Sequence, residues 1–183
     1  KRQVSGTLNY IFSTLSSTTT FSSAIAKARV LGYSEPDPRV DLSGTDVVRK
    51  LVILAREAGY EVSIDDVEST PLLPQELFSG TVEEFENAVP SLDGPMEQRR
   101  QEAAKAGRKL RFVAEFADGK ASVGLKEVDA SHPFYSLEDS NNCVLLTTER
   151  YRNFPMEIKG YGAGAEVTAA GVFADIISIA NIR

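Results

Sequence analysis

The sequence predicts an α+β domain with a mainly antiparallel or mixed sheet covered by helices, and three observations lead there. Apolar residues recur at helical spacing through roughly the first third of the chain and alternate at strand spacing from Leu110 onward. The strand segments follow one another across short turns instead of alternating with helices, which argues against a βαβ chain. At 183 residues, 42% hydrophobic and 25% charged, the chain is long enough to bury the core of one domain.

Each element has a local cause. Leu8, Ile11, Phe12 and Leu15 fall on one helical face behind Ser5, a good N-cap. Phe21 to Leu31 repeats the pattern with Ile25 and Ala28, and Gly32 stands where a left-handed C-terminal residue belongs. The stretch Gly32-Tyr33-Ser34-Glu35-Pro36-Asp37-Pro38-Arg39-Val40-Asp41 must be a rigid loop, because its prolines bias Glu35 and Asp37 to extended backbone. A third helix is expected to open at Ser43, with Asp46 as a capping-box-like partner, and to stop at Gly59. Val47, Val48, Leu51, Val52, Leu54 and Ala55 make it apolar around most of its circumference, as for a central buried helix.

Residues 61–107 read as linker and short helices, one opened by Thr81 and Glu84 and an exposed one running from Gly94 to Ala106. Leu110, Phe112, Ala114 and Phe116 alternate with Arg111, Val113, Glu115 and Ala117; Asp118-Gly119 then turns the chain into Ala121–Leu125, a hairpin signal. Cys143–Thr148 and Met156–Lys159 supply further strands, and a glycine-rich loop, residues 160–165, feeds a last helix from about Glu166.

Composition excludes several classes of function. A net charge of −6, from 20 Lys plus Arg against 26 Asp plus Glu, leaves no basic footprint for nucleic acid or an anionic membrane surface. Ala169 to Ala180, interrupted by Asp175, is too short to span a bilayer. One cysteine, Cys143, and one histidine, His132, preclude an internal disulfide and a Cys/His zinc cluster, and fit a reducing compartment, cytoplasm or plastid stroma. Cys143 reads as a small buried hydrophobe and His132, before Pro133, as a bystander. Lys1 is no initiator and Arg183 follows no capping glycine, so both ends read as cut from something longer.

Two constellations could carry chemistry. Glu35 and Asp41 on the proline loop precede Asp46 and Lys50, which stand one helical turn apart on the same face. A surface ion pair is the bland alternative; on so apolar a helix, however, Lys50 is expected to be partly buried, where its ammonium needs acidic partners and can serve as an acid/base. Gly160-x-Gly162-x-x-Ala165 formally matches a dinucleotide-binding fingerprint, but too few residues follow it for the required second strand and acid. A backbone cradle for a ligand held mostly by something else, or a plain strand-to-helix turn, both fit.

Four segments taken in order resemble the homoserine dehydrogenase family. They are Ser5-Gly6-Thr7-Leu8-Asn9-Tyr10-Ile11, Gly32 to Arg39, Asp41-Leu42-Ser43-Gly44-Thr45-Asp46-Val47-Val48-Arg49-Lys50, and Gly160-Tyr161-Gly162-Ala163-Gly164-Ala165 through Thr168 to Asp175. The long region between Asp65 and Lys109 looks most like the form fused behind an aspartate kinase. The resemblance implies NAD(P)-dependent interconversion of L-homoserine and L-aspartate 4-semialdehyde, in threonine and methionine biosynthesis. It also implies that residues 1–183 form the substrate-binding and dimerisation portion, similar to the C-terminal domain of glyceraldehyde-3-phosphate dehydrogenase, with the Rossmann domain upstream and absent from this chain.

By the same resemblance Lys50 is the acid/base and Asp46 orients it. Glu35 and Asp41 hold the substrate ammonium, Thr7 and Tyr33 line the pocket, and Gly160, Gly162 and Gly164 approach the nicotinamide end of NAD(P)H. The family's alkali-metal site lies upstream, so no metal site is expected here. Val40 and Val48 depart from the family pattern, the first removing one acid beside Asp41. A homodimer is the expected assembly. The rival reading is a non-catalytic ligand-binding and dimerisation module.

Overall fold

A computed structural model describes residues 2–3, 5–162 and 165–181. The first two predicted helices form as expected. α1 (Gly6–Thr14) starts where the Ser5 hydroxyl accepts the Leu8 N–H at 3.2 Å, and α2 (Phe21–Val30) where Thr20 accepts the Ser23 N–H at 3.3 Å. Leu8, Ile11 and Phe12 of α1 meet Phe21, Ala24, Ile25 and Ala28 of α2 in one core cluster.

The proline loop ends in a single helical turn, α3 (Arg39–Leu42), so Asp41 lies in helix rather than in the loop. The third predicted helix, α4 (Thr45–Glu57), begins two residues later than Ser43. Gly44 decides this: its φ of +71° favours glycine, and a Cβ there would stand 3.0 Å from the Phe112 ring. The expected Ser43–Asp46 capping box therefore does not form. The Ser43 hydroxyl donates to the Val40 carbonyl at 2.8 Å instead, and the Asp46 carboxylate turns to Lys50. α4 is amphipathic rather than apolar all round, burying Val47, Val48, Leu51, Val52 and Ala55 while Ile53 is exposed.

Beyond it come β2 (Val67–Ser69), α5 (Val82–Ala88) and α6 (Asp93–Lys105). The Thr81–Glu84 capping box does form at α5, with both hydrogen bonds in place at 3.1 and 2.7 Å. α6 is largely exposed, and of its residues Met96 and Ala103 are buried in the core. Ser22, at the start of α2, ties it down by donating both its N–H and its hydroxyl to Asp93 at 2.7 Å.

The hairpin appears as β3 (Lys109–Ala117) and β4 (Lys120–Val128), with Ala117 opposite Lys120 across Asp118-Gly119. β5 (Asn141–Leu146) and β6 (Met156–Tyr161) follow, and β1 (Arg2–Gln3) inserts between β3 and β5. The sheet order is β2-β4-β3-β1-β5-β6, every described pair antiparallel except β2 with β4. β1 and β2, of two and three residues, are too short to show any periodicity.

Leu110, Phe112 and Ala114 of β3 join the helical cluster, whereas Val113 packs with Phe134, Leu137, Cys143 and Leu145 in a second, smaller one. Both faces of β3 are thus covered. Arg111 is 2% exposed and donates to five carbonyls, those of Phe12, Leu110, Phe134, Tyr135 and Leu137, at 2.9–3.2 Å. His132 is structural, its Nδ1 accepting the Phe134 N–H at 3.1 Å, and Cys143 is fully buried as expected. The last helix, α7 (Ala165–Asn181), forms from one residue before the expected start, and none of its residues is buried.

Candidate functional site

The first turn of α1 works as a junction. The Thr7 hydroxyl, nearly buried, donates to the Tyr33 carbonyl and lies 3.0 Å from Asp41 Oδ1. Asp41 Oδ2 accepts the Ser34 hydroxyl at 3.1 Å and the Glu35 N–H at 2.9 Å. Asp41 therefore closes residues 33–41 into a ring, its Oδ2 taking two donors from the loop itself, while the Glu35 side chain stands exposed on that ring. Arg39 anchors the far side, gripping Asp37 at 2.8–3.1 Å and the Ser79 and Gly80 carbonyls at 3.1 and 3.0 Å. The Arg39 hydrogen bonds hold the Asp37 carboxyl below its ordinary range.

Lys50 Nζ and Asp46 Oδ2 meet at 2.5 Å on consecutive turns of α4, with side chains 41% and 59% exposed. An open groove of about 410 Å³ sets Asp46 and Arg49 of α4 across from Asp37, Arg39 and Val40 of the ring. Of the predicted site residues, Asp46 lines this groove; Lys50, Glu35 and Asp41 are not among its lining. A roomier hollow, about 630 Å³, lies between α4 and the ends of β3 and β5, but Leu51, Leu54, Ala55, Phe116, Val144 and Leu146 make it mainly apolar. It holds none of the predicted site residues and offers few groups to a charged substrate; Leu54, one turn beyond Lys50, is its nearest link to them.

The other side of α1 reaches the sheet. Asn9, fully buried, donates through Nδ2 to the Asp139 and Asn141 carbonyls at 2.9 Å. Asn142 then pairs with Gly160 across β5 and β6, and a Cβ on Gly162 would stand only 2.2 Å from Asn142 Nδ2. The chain needs glycine at Gly162 for that approach, and a Cβ on Gly160 would meet open space. Gly164 lies outside the described residues. The structure accordingly joins Thr7, Tyr33 and Asp41 directly, carries Glu35 on the same loop, and pairs Asp46 with Lys50 on α4, with Asp46 lining the groove.

Sequence reasoning gave no role to Asn9, Asp139 or Asn142. Asn9 sat inside a quoted motif, and the polar run Asp139-Ser140-Asn141-Asn142 before a strand was the available signal. Among the described residues no group of three or more His, Cys, Asp or Glu is arranged to hold a metal ion.

The family model described as homoserine dehydrogenase matches residues 3–177. The chain belongs to the homoserine dehydrogenase family. It is 46% identical over 180 residues to the chloroplastic bifunctional aspartokinase/homoserine dehydrogenase of Daucus carota, covering 97% of this chain and 20% of that protein. Against the homoserine dehydrogenase of Schizosaccharomyces pombe it is 45% identical over 186 residues, covering 96% and 49%. A crystal structure of a protein of unknown function from Candida auris superposes with a TM-score of 0.88 at 46% identity, covering 97% of this chain and 52% of that one. The chain thus spans about half of the monofunctional relative and about a fifth of the bifunctional one.

Proposed function

We propose that this chain is the substrate-binding and acid/base portion of a homoserine dehydrogenase, which interconverts L-homoserine and L-aspartate 4-semialdehyde with NAD(P)H in threonine and methionine biosynthesis. The observation that carries the reading is the Lys50–Asp46 pair at 2.5 Å, whose Asp46 lines one groove with Asp37, Arg39 and Val40 of the loop that Asp41 closes and on which Glu35 is exposed. A zwitterionic substrate needs carboxylates for its ammonium, and a carbonyl becoming a hydroxyl needs a proton. Glu35 meets the ammonium. Asp41, which accepts the Ser34 hydroxyl and the Glu35 N–H, acts on the same group by fixing the loop that presents Glu35. Lys50 gives its ammonium proton to the aldehyde oxygen in the reducing direction and takes it back in the oxidising one, with Asp46 holding Nζ in place. Thr7 and Tyr33 shape the amino-acid end.

The residues at the end of β6 suit the nicotinamide end of the cofactor. Gly160 exposes backbone with no side chain in the way, Gly162 lies against the Asn142 side chain, and the buried Asn142 Oδ1 has no donor among the described residues, a deficit an amide N–H relieves. When bound, the cofactor supplies or receives the hydride. Most of its binding belongs to a nucleotide-binding domain outside this chain, so the isolated 183 residues are expected to fold without appreciable turnover. A homodimer in the cytoplasm, or the plastid stroma of a plant, completes the proposal. Among the described residues no helix is long and apolar enough to cross a membrane.

Steady-state kinetics on the intact protein carrying this chain tests the roles, with circular dichroism as the folding control. Lys50→Met is expected to lower kcat by about two to four orders of magnitude, the range for a positioned acid/base, and Asp46→Asn to resemble it. Glu35→Gln should chiefly raise KM for the amino-acid substrate, because its contact with the ammonium is common to ground and transition states. Near-normal kcat in Lys50→Met would sink the assignment.

A further inference from the structure

The loop that carries Glu35 is held from outside as well as from within. Asp41 joins its residues to one another, whereas Arg39, on the single turn α3, ties it to the carbonyls of Ser79 and Gly80, 40 and 41 residues further along the chain. The Arg39 side chain is only 12% exposed, and its donors are divided between two tasks. Nε and Nη2 fork onto the Asp37 carboxylate at 2.8–3.1 Å, while Nη1 donates to the Ser79 and Gly80 carbonyls at 3.1 and 3.0 Å. The Arg39 N–H adds a bond to Asp37 Oδ1 at 3.0 Å, so that one carboxylate fixes both the backbone and the side chain of the arginine.

The receiving side is itself fixed. Gly80 has a φ of +77°, and a Cβ there would collide with the Glu84 carboxylate, which accepts the Thr81 N–H in the capping box of α5. Phe85, 1% exposed, roots that helix in the core, and the Arg39 guanidinium carbon lies 5.9 Å from the centre of its ring. An unbroken path of contacts thus runs from the core through Phe85 and the Gly80 turn to Arg39, Asp37 and the loop.

We propose that Arg39 is a positioning residue of the substrate site: by bridging Asp37 to the Ser79 and Gly80 carbonyls it fixes the 33–41 loop against the body of the domain, so that Glu35 is already in place for the ammonium of an amino-acid substrate. This rests on the function proposed above. The Glu35 side chain is exposed while its N–H is bound to Asp41 Oδ2, so the aim of its carboxylate follows the backbone of the loop. Thr7 holds one end of that loop through the Tyr33 carbonyl, and Arg39 holds the other. A loop fixed at one end only samples other orientations, and the apparent affinity for substrate falls by the fraction of time the binding geometry is lost. Lysine cannot replace the arginine here, because a single nitrogen cannot fork onto a carboxylate and reach two carbonyls at once.

The intact protein carrying this chain provides the test. Peptide-resolved hydrogen exchange reads the loop without reference to activity: in Arg39→Lys the amides of residues 33–41 should exchange about tenfold faster, while those of α1 and β3 keep their wild-type rates. Steady-state kinetics reads what the loop does. Arg39→Lys and Arg39→Gln should each raise KM for the amino-acid substrate by about tenfold, with kcat and the KM for NAD(P)H within about twofold, since the ammonium contact is common to ground and transition states. Added to Glu35→Ala, Arg39→Lys should raise KM by less than about twofold, a non-additivity that a merely structural arginine would not produce. Unchanged exchange in the folded Arg39→Lys protein overturns the bridge. Faster exchange with an unchanged KM overturns the positioning role, as does a full tenfold rise on top of Glu35→Ala. Failure of the functional reading shows elsewhere, as undiminished kcat in Lys50→Met with the loop still loosened by Arg39→Lys.

Discussion

The helix-covered body of the sheet and the arm formed by β6 and α7 are both apolar in sequence and opposite in burial. In the body, Leu8, Phe21, Phe85, Phe134 and Leu137 are at most 1% exposed, and each side chain's neighbours lie within the same 183 residues. In the arm, Phe173 is 63% exposed, Ile176 56% and Ile179 69%, and neither β6 nor α7 buries a residue. An amphipathic pattern says that a residue wants cover but not which surface provides it. For α1, α2 and α4 the cover is local; an exposed apolar helix such as α7 marks an interaction surface instead. The glycines proposed for the cofactor sit at the root of this arm, where the chain passes from one regime to the other.

The largest effect expected inside the body belongs to Arg111. Burial pushes its guanidinium down to about 10, so it remains charged at neutral pH, held by five carbonyl oxygens. Arg111→Met leaves those acceptors short of donors and should lower stability by about 3–5 kcal/mol, read as a reduced urea midpoint. A loss under about 1 kcal/mol would mean that the carbonyls find other partners and that the second core cluster tolerates a void.

Arg111 also shows where the sequence stops being legible. It occupies a polar position in the alternation Leu110–Phe116, which reads as a strand with one wet face. The wet face is absent because the turn at Pro133–Ser136 and strand β5 close over it, and long-range cover leaves no trace in local periodicity. Ser43 misleads for a related reason: its capping pattern is sound locally, but the Phe112 ring reached from β3 fixes the αL glycine at Gly44 and moves the helix start. Thr7, Tyr33 and Asp41 were brought together in the sequence only by the family resemblance, whose separate motifs carry all three. The grip of Asn9 on the Asp139 and Asn141 carbonyls was not legible, since it reaches a loop about 130 residues away.

Paired truncations give an effect of the same size in the body and compare the two regions directly. Phe12→Ala, at a side chain 4% exposed in the core, should cost about 3–5 kcal/mol, whereas Phe173→Ala on α7 should change the stability of this chain by no more than about 0.5 kcal/mol. In the intact protein the second substitution is expected to become costly, an outcome that would show the arm covered there. Chemical denaturation of both variants in both contexts checks this. Equal costs in the isolated chain would show that α7 folds back onto the body and would erase the distinction between the two regions.

The smallest effect lies at the seam between them. Cys143 on β5 is fully buried, sits opposite Lys159 of β6, and has Glu157 Oε1 3.7 Å from its sulfur. Burial, followed by the Glu157 charge and its hydrogen bond, pushes the thiol up to about 12. The sign is that of an acid whose charged form is disfavoured in the fold, so at pH 8 the native thiolate is scarcer than in the unfolded chain, by about three orders of magnitude against an ordinary thiol. Iodoacetamide at pH 8 should therefore alkylate the native chain far more slowly than the chain in denaturant. Glu157→Gln removes only the lesser contributions and should raise the native rate slightly without approaching the unfolded one. If the native rate instead matches the unfolded one while circular dichroism shows the helices intact, β6 is lifting off β5 on its own. The arm would then be a separately opening unit rather than the last strand of a single sheet.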